Sequence, residues 1–105
     1  MKIDFETARI FLRPGFVDMR CGVDRLLSII TNEMNMNALS DSVFVFCGKN
    51  HRILKFLVWD KNAFFCGYKK LQKSTWSWPH SVDEAKEITR EELHLLLNGV
   101  KLWKK

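Results

Sequence analysis

The spacing of apolar and polar residues in the first third of the chain predicts one strand followed by one helix. Residues 8–13 (ARIFLR) alternate well enough for a short strand, and a Pro-Gly dipeptide ends it with turn chemistry. In residues 18–34 (DMRCGVDRLLSIITNEM) the apolar residues recur at helical spacing, with polar residues opposite. These apolar residues are Val23, Leu26, Leu27, Ile30 and Met34. Asp18 is a candidate cap for this helix.

The middle of the chain predicts a β-meander. Residues 42–48 (SVFVFCG), 53–59 (ILKFLVW) and 63–71 (AFFCGYKKL) are rich in β-branched and aromatic residues, and short turns separate them. Such short connections make neighbouring strands antiparallel. Residues 75–78 (TWSW) predict a short fourth strand that ends at Pro79.

The last helix is specified by its two ends. Thr89 and Glu92 form the T-x-x-E capping box, and Ile88 and Leu93 stand where a hydrophobic staple pairs its residues. Gly99 is placed for a C-terminal cap. Leu93, Leu96 and Leu97 form the apolar stripe between these ends.

Together these elements predict the α+β class in a single domain, residues 1–105. We expect an antiparallel β-meander with an N-terminal strand, packed against two helices that cover one face of the sheet. Strand 53–59 is apolar on both faces, as is 43–47, whereas a half-solvated sheet alternates more cleanly. Either both faces are covered within the chain, or one face meets a partner. The pattern leaves both readings open.

Composition restricts the class of protein further. Apolar residues make up 47% of the 105 residues and charged residues 28%, which is typical of a folded domain. No apolar run approaches the roughly 20 residues that cross a bilayer, so we expect no membrane association. Residues 1–11 contain no continuous apolar stretch of the kind found in a secretory signal. Three cysteines at wide spacings do not indicate a disulfide framework, and we expect a cytoplasmic location.

The net charge of +5 is concentrated in one segment. Residues 49–73 hold seven Lys or Arg against Asp60 alone, which is a net charge of +6. Positive charge confined to one segment is a candidate footprint for a polyanion such as DNA, and a solvated surface is the simpler alternative. The candidate phosphate contacts are Lys49, Arg52, Lys55, Lys69, Lys70 and Lys73. Trp76 and Trp78 point to the same side of the predicted fourth strand, as a stacking pair would. Together with Trp103 they are candidate partner contacts.

Catalytic and metal sites find little support in the sequence. Cys47, His51, Cys66 and His80 are soft ligands, but they lack the paired spacing that structural zinc sites use. The cysteines lie inside apolar patterns and are expected to pack as small core residues. Asp18, Asp24 and Asp60 are not spaced as a metal-binding carboxylate set. We therefore expect no enzyme activity, no metal and no cofactor.

Several segments, in order, resemble a known family of bacterial proteins. DMRCGVDRLLSII resembles the D-M-R-x-G-x-D-x-L opening of the TnpB accessory proteins, which the second reading frame of insertion sequences of family 66 encodes. Residues 43–79 are similar to their strand–turn–strand block, which ends in W-x-W-P, and ITREELHLLLNGV is similar to their final helix. The resemblance covers residues 9–103.

The chain departs from the pattern of that family at four places. His51 replaces an acid or amide, and Leu54 is inserted before Lys55. Ala63 replaces a turn glycine, which alters a hairpin if that position needs a positive φ. The family's L-E-x-G is Leu-Gln-Lys-Ser at residues 71–74.

The resemblance implies a non-catalytic role in transposition beside a separate transposase. Two hypotheses follow for the mode of action. The first is DNA binding through the basic residues, with the ends of the element as target. The second is an adaptor that docks on the transposase or on another accessory protein without touching DNA. Self-association fits either hypothesis.

Overall fold

A computed structural model describes residues 8–81 and 87–103. Its strands are β1 (Arg9–Leu12), β2 (Ser42–Cys47), β3 (Ile53–Asp60), β4 (Ala63–Lys70) and β5 (Glu87–Ile88). The helices are α1 (Val23–Ser28), which continues as a π-helical turn over Ile29–Glu33, and α2 (Arg90–Leu97). The strands form one sheet in the order β4-β3-β2-β1-β5, so the α+β class is confirmed. Residues 1–7, which bear on the absence of a secretory signal, lie outside the described residues.

The predicted meander is present as β2, β3 and β4, which pair antiparallel in that order. Ile53 lies opposite Lys70 at one end of the β3–β4 hairpin, and Asp60 lies opposite Ala63 at the other. The positive φ of this hairpin falls on Lys61, at 62°, and not on Ala63. Alanine at the family's glycine position is therefore a residue of β4, and the turn forms without a glycine.

The N-terminal strand makes the sheet mixed, because β1 pairs parallel to β2. Parallel neighbours need a long crossover connection, and the segment that contains α1 supplies it. On its other side β1 pairs with β5, and this pairing is antiparallel. The sequence did not predict it.

The predicted fourth strand is wrong: residues 75–78 form no strand. They dock through individual hydrogen bonds, because the indole N–H of Trp76 donates to the carbonyl of Arg52 and that of Trp78 to the carbonyl of Arg13. Each bond is 3.0 Å long. Both rings thereby fill the core while their polar atoms remain satisfied.

The helices lie on opposite faces of the sheet, so the expectation that they share one face is wrong. On one face Val43, Val45 and Leu54 pack with α2 and the two tryptophans. On the other face Phe44 and Phe46 pack with α1 and its π-helical turn. All six residues of β2 are buried as a result. Its two apolar faces are thus covered within the chain.

Local signals at α2 act as predicted, whereas those at α1 do not. Thr89 Oγ1 accepts the Glu92 N–H at 3.0 Å, and Glu92 Oε1 accepts the Thr89 N–H at 2.8 Å, which completes the capping box. At the other end Gly99 has φ 89°. Helix α1 begins after Gly22 with no side-chain cap, so Asp18 does not cap it.

Within the two described ranges, no helix has the length and apolar character needed to cross a membrane.

Candidate nucleic-acid interface

A groove of about 710 Å³ lies where the turn between β2 and β3 faces the segment that precedes α1. Four cationic residues from three separate segments line it: Arg20, Lys49, Arg52 and Lys70. Asp18 is the single acidic residue in its lining. The groove is therefore basic, and we call it the basic groove.

The hairpin geometry explains why residues 49 and 70 meet. The turn after β2 is closed by the His51 N–H, which donates to the Gly48 carbonyl at 2.9 Å. This turn places Lys49 beside the end of β3, where the register sets Lys70 opposite Ile53. His51 has φ 60°, a left-handed conformation that Asn, Asp and His adopt more readily than most residues. His51, where the chain departs from the pattern of the resembling family, thus occupies a left-handed turn position.

Arg20 is held at the groove by Asp18. Arg20 Nη2 donates to Asp18 Oδ2 at 2.6 Å, and its Nε donates to Oδ1 at 3.0 Å. These hydrogen bonds, with one from the Arg20 backbone N–H, lower the pKa of Asp18 to about 2. Asp18 therefore orients a guanidinium instead of starting a helix. Sequence reasoning missed Arg20 because residues 1–48 are net acidic, although the D-M-R motif contained both partners.

Arg52 has a structural role in addition to its place in the groove. Its Nη1 donates to the Gln72 carbonyl at 2.8 Å. Its own carbonyl accepts from the Leu71 N–H as well as from the Trp76 indole. Arg52 thus ties the start of β3 to the segment that follows β4.

Lys49 and Lys70 are the most available cations of the groove. Both side chains are exposed, and within residues 8–81 and 87–103 neither has a hydrogen-bond or ion-pair partner. An ammonium group in this situation can meet an incoming anion without first breaking an internal contact.

The other three predicted phosphate contacts do not line the basic groove. Lys55 is half-buried, and its Nζ donates to the Cys21 carbonyl at 2.8 Å. Its charge also helps to lower the pKa of Asp18, so it lies near the groove but is occupied. Lys69 lies opposite Leu54, which places it on the other face of β4 from Lys70. Lys73 is exposed in the segment after β4.

The predicted partner contacts Trp76 and Trp78 are core residues, 1% and 2% exposed. The structure contradicts their placement on a docking surface, because their rings pack under α2. Trp103 is half-buried and exchanges two hydrogen bonds with Ser77, each 2.9 Å long. A partner therefore has little access to the rings of Trp76 and Trp78, whereas Trp103 stays a predicted contact.

The cysteines occupy opposite faces of the sheet. Cys47 is buried on the α2 face, where burial raises the pKa of its thiol to about 12. Cys66 lies on the α1 face of β4 and is exposed, so the expectation of a core position is wrong for this residue. One metal ion cannot bind both. Across the part of the chain that the structure describes, no group of three or more His, Cys, Asp or Glu side chains is arranged to hold a metal ion.

Comparisons with known proteins agree with the resemblance seen in the motifs. The chain matches the family described as IS66 Orf2 like protein over residues 8–105. Uncharacterized protein y4hO of Sinorhizobium fredii (strain NBRC 101917 / NGR234) is 29% identical over 96 residues, which span 90% of this chain and 83% of that protein. Uncharacterized protein y4jC of the same strain is 26% identical over 92 residues, 88% of this chain and 79% of that protein. No solved structure matches.

The fold and the groove define a small α+β protein with a basic groove at one end of its sheet. The chain belongs to the IS66 Orf2-like family. This membership confirms the resemblance and associates the protein with insertion sequences, in which it has an accessory role in transposition.

Proposed function

We propose that this protein is a non-catalytic accessory factor that binds the DNA backbone through the basic groove and assists a separate transposase. The observation that carries the proposal is the convergence of four cations from three segments on one groove. Phosphate contacts by Lys and Arg supply most of the sequence-independent affinity for DNA. A groove with one acid, which is itself paired with Arg20, presents a net positive surface to a duplex.

The four cations contribute in different ways. Lys49 and Lys70 contact phosphate oxygens directly, because no internal partner competes for them in the described residues. Arg52 donates one hydrogen bond to the Gln72 carbonyl, and its remaining guanidinium N–H groups can donate to a phosphate. Arg20 is pre-oriented by Asp18, so little side-chain entropy is lost when a phosphate approaches it.

The carboxylates argue against a strand-cleaving role for this chain. Asp18 is engaged by Arg20, and Asp60 ends β3 at the opposite end of the strand from the groove. A pair of metal ions in a phosphoryl-transfer site lies about 4 Å apart and needs carboxylates grouped around both ions. In this proposal the transposase carries out the chemistry of transposition, and both proteins reach the element in the cytoplasm.

A binding assay on matched lysine variants tests the proposal. The Lys49→Gln/Lys70→Gln double variant should bind a fluorescent duplex from the element ends several-fold more weakly than the parent at low salt, by fluorescence anisotropy. Lys61→Gln is the control, because Lys61 is an exposed lysine at the far end of the same hairpin. Equal loss in the control, or no binding by the parent, contradicts a groove-based site.

The alternative is an adaptor that docks on the transposase or on another accessory protein. One observation favours it: Phe65 and Tyr68 on β4 are exposed. An apolar interface is far less sensitive to salt than phosphate binding. Transposase capture that is unchanged by Lys49→Gln/Lys70→Gln, in a protein that binds no DNA, would establish the adaptor in its place.

A further inference from the structure

Strand β4 is the long open edge of the sheet. Because it is last in the strand order, one side of its backbone has no partner strand within residues 8–81 and 87–103. The other edge is β5, which has only two residues and leads directly into α2. An open edge of eight residues is a template for another strand.

The hydrogen-bond pattern shows which backbone groups face outward. The Leu71 N–H donates to the Arg52 carbonyl, so residues 52 and 71 form a hydrogen-bonded pair. Such pairs alternate along an antiparallel ladder. The backbone groups of Phe64, Cys66, Tyr68 and Lys70 therefore point away from β3.

We propose that β4 pairs antiparallel with β4 of a second copy of this chain, with Cys66 opposite Cys66 across a two-fold axis. The partner is a second copy because the strand is self-complementary in this register. Phe65 of each copy lies opposite Gly67 of the other, and Phe64 opposite Tyr68. In the single chain the Phe65 ring already lies over Gly67 of its own strand, with ring carbons 3.1 Å from where a Cβ would stand. The Phe64–Tyr68 pair covers Tyr68, which is 68% exposed in the single chain.

Charge selects the same register. With Cys66 at the centre, Lys69 lies opposite Ala63 and Lys70 opposite Asn62, so no lysine faces another. Centring the pair on Phe65 sets Lys61 opposite Lys69, which is a like-charge pair. Centring it on Gly67 sets Lys69 and Lys70 opposite Phe65 and Phe64 and separates the aromatic pair.

The dimer does not depend on DNA binding, but it has a consequence for the basic groove. A two-fold axis perpendicular to the sheet leaves both Lys70 side chains on the same face. They lie roughly 27 Å apart, eight residues at the rise of an antiparallel strand. Two grooves are thus presented on one side of a continuous sheet.

A charge-swap experiment at the centre of the interface tests the proposal. The parent should show a concentration-dependent monomer–dimer equilibrium in sedimentation velocity. Cys66→Asp and Cys66→Lys should each be monomeric, because the register opposes like charges. An equimolar mixture of the two should form a heterodimer. Cys66 is exposed in the monomer, so both variants are expected to fold, and circular dichroism verifies this.

The control is Leu39→Asp, which introduces the same charge at a residue that is 57% exposed in the segment before β2 and should leave the dimer intact. Mild oxidation gives a second readout of the Cys66–Cys66 register. Cα atoms of a hydrogen-bonded pair are about 5.5 Å apart, which is within the range that a disulfide can bridge. Diamide, which takes up two protons and two electrons, should convert the two thiols to a disulfide in the parent and in Cys21→Ser. A monomeric parent at all concentrations, or a mixture of variants that stays monomeric, overturns the proposal.

Discussion

Strands β2 and β4 each contain five apolar residues, but they lie in opposite environments. Ser42–Cys47 (SVFVFC) is buried at every residue, whereas Ala63–Lys70 (AFFCGYKK) is exposed at all but two. Strand β2 lies between β1 and β3 with a helix over each face, and β4 lies at the edge. Position in the sheet thus decides burial where composition does not. The central strand supports the fold, and the edge strand carries exposed aromatic and basic groups.

The largest expected effect compares one phenylalanine from each strand. Phe46→Ala empties a fully buried site in β2 and should cost about 3–5 kcal/mol of unfolding free energy. Phe65→Ala in β4 removes a ring that is 39% exposed and should cost less than about 1.5 kcal/mol. Urea denaturation at low protein concentration measures both. Equal costs would mean that β4 is covered in solution.

A smaller effect concerns the helix that covers β2. Thr89→Ala removes the oxygen that accepts the Glu92 N–H and should cost about 0.5–2 kcal/mol. Thr89→Ser keeps that oxygen and is the matched control, expected within about 0.5 kcal/mol of the parent. If Thr89→Ala is as stable as the parent, the cover over β2 does not depend on this cap.

A third effect concerns the buried cysteine of β2 and is measured by changing the pH. Burial raises the pKa of the Cys47 thiol from 9.0 to about 12, so the folded chain holds this proton more tightly than the unfolded chain. The resulting stability is present below pH 9 and is lost as pH rises from 9 towards 12. The parent should therefore lose more stability than Cys47→Ala between pH 8 and about 10.5, by urea midpoints. If Cys47→Ala loses as much stability as the parent over this range, Cys47 is not buried in the way the structure shows.

Features encoded by neighbouring residues were predictable from the sequence. The capping box of Thr89 and Glu92 and the three strands of the meander formed near the expected bounds. Each depends on contacts within a few residues or between strands joined by a short turn. The family resemblance added the accessory role, which no local pattern indicates.

Features that depend on distant contacts were not predictable. The pattern of Trp76 and Trp78 fits a strand, but their indoles reach the carbonyls of Arg52 and Arg13, far away in sequence. The exposure of Cys66 follows from the strand order, which an apolar run does not reveal. Both cases concern which element lies next to which, and this is decided by the tertiary fold.

The candidate site was predicted in part. Lys49, Arg52 and Lys70 were selected by charge and line one groove, because a turn and a hairpin register bring them together. Lys69 has the same charge and adjoins Lys70, yet strand alternation sends it to the other face. Arg20 was missed because counting charge by segment ignores an arginine in an acidic stretch.

Salt dependence of DNA binding tests the central claim most directly, since phosphate contacts release counterions. The slope of log affinity against log salt should shrink by about 1 in Lys70→Gln relative to the parent. Lys70 is a cleaner probe than Arg52, whose bond to Gln72 makes its substitution structural as well. Lys61→Gln, at the other end of the hairpin, should keep the parent slope. Equal slopes for the parent and Lys70→Gln, measured by anisotropy at several salt concentrations, would contradict DNA binding at the basic groove.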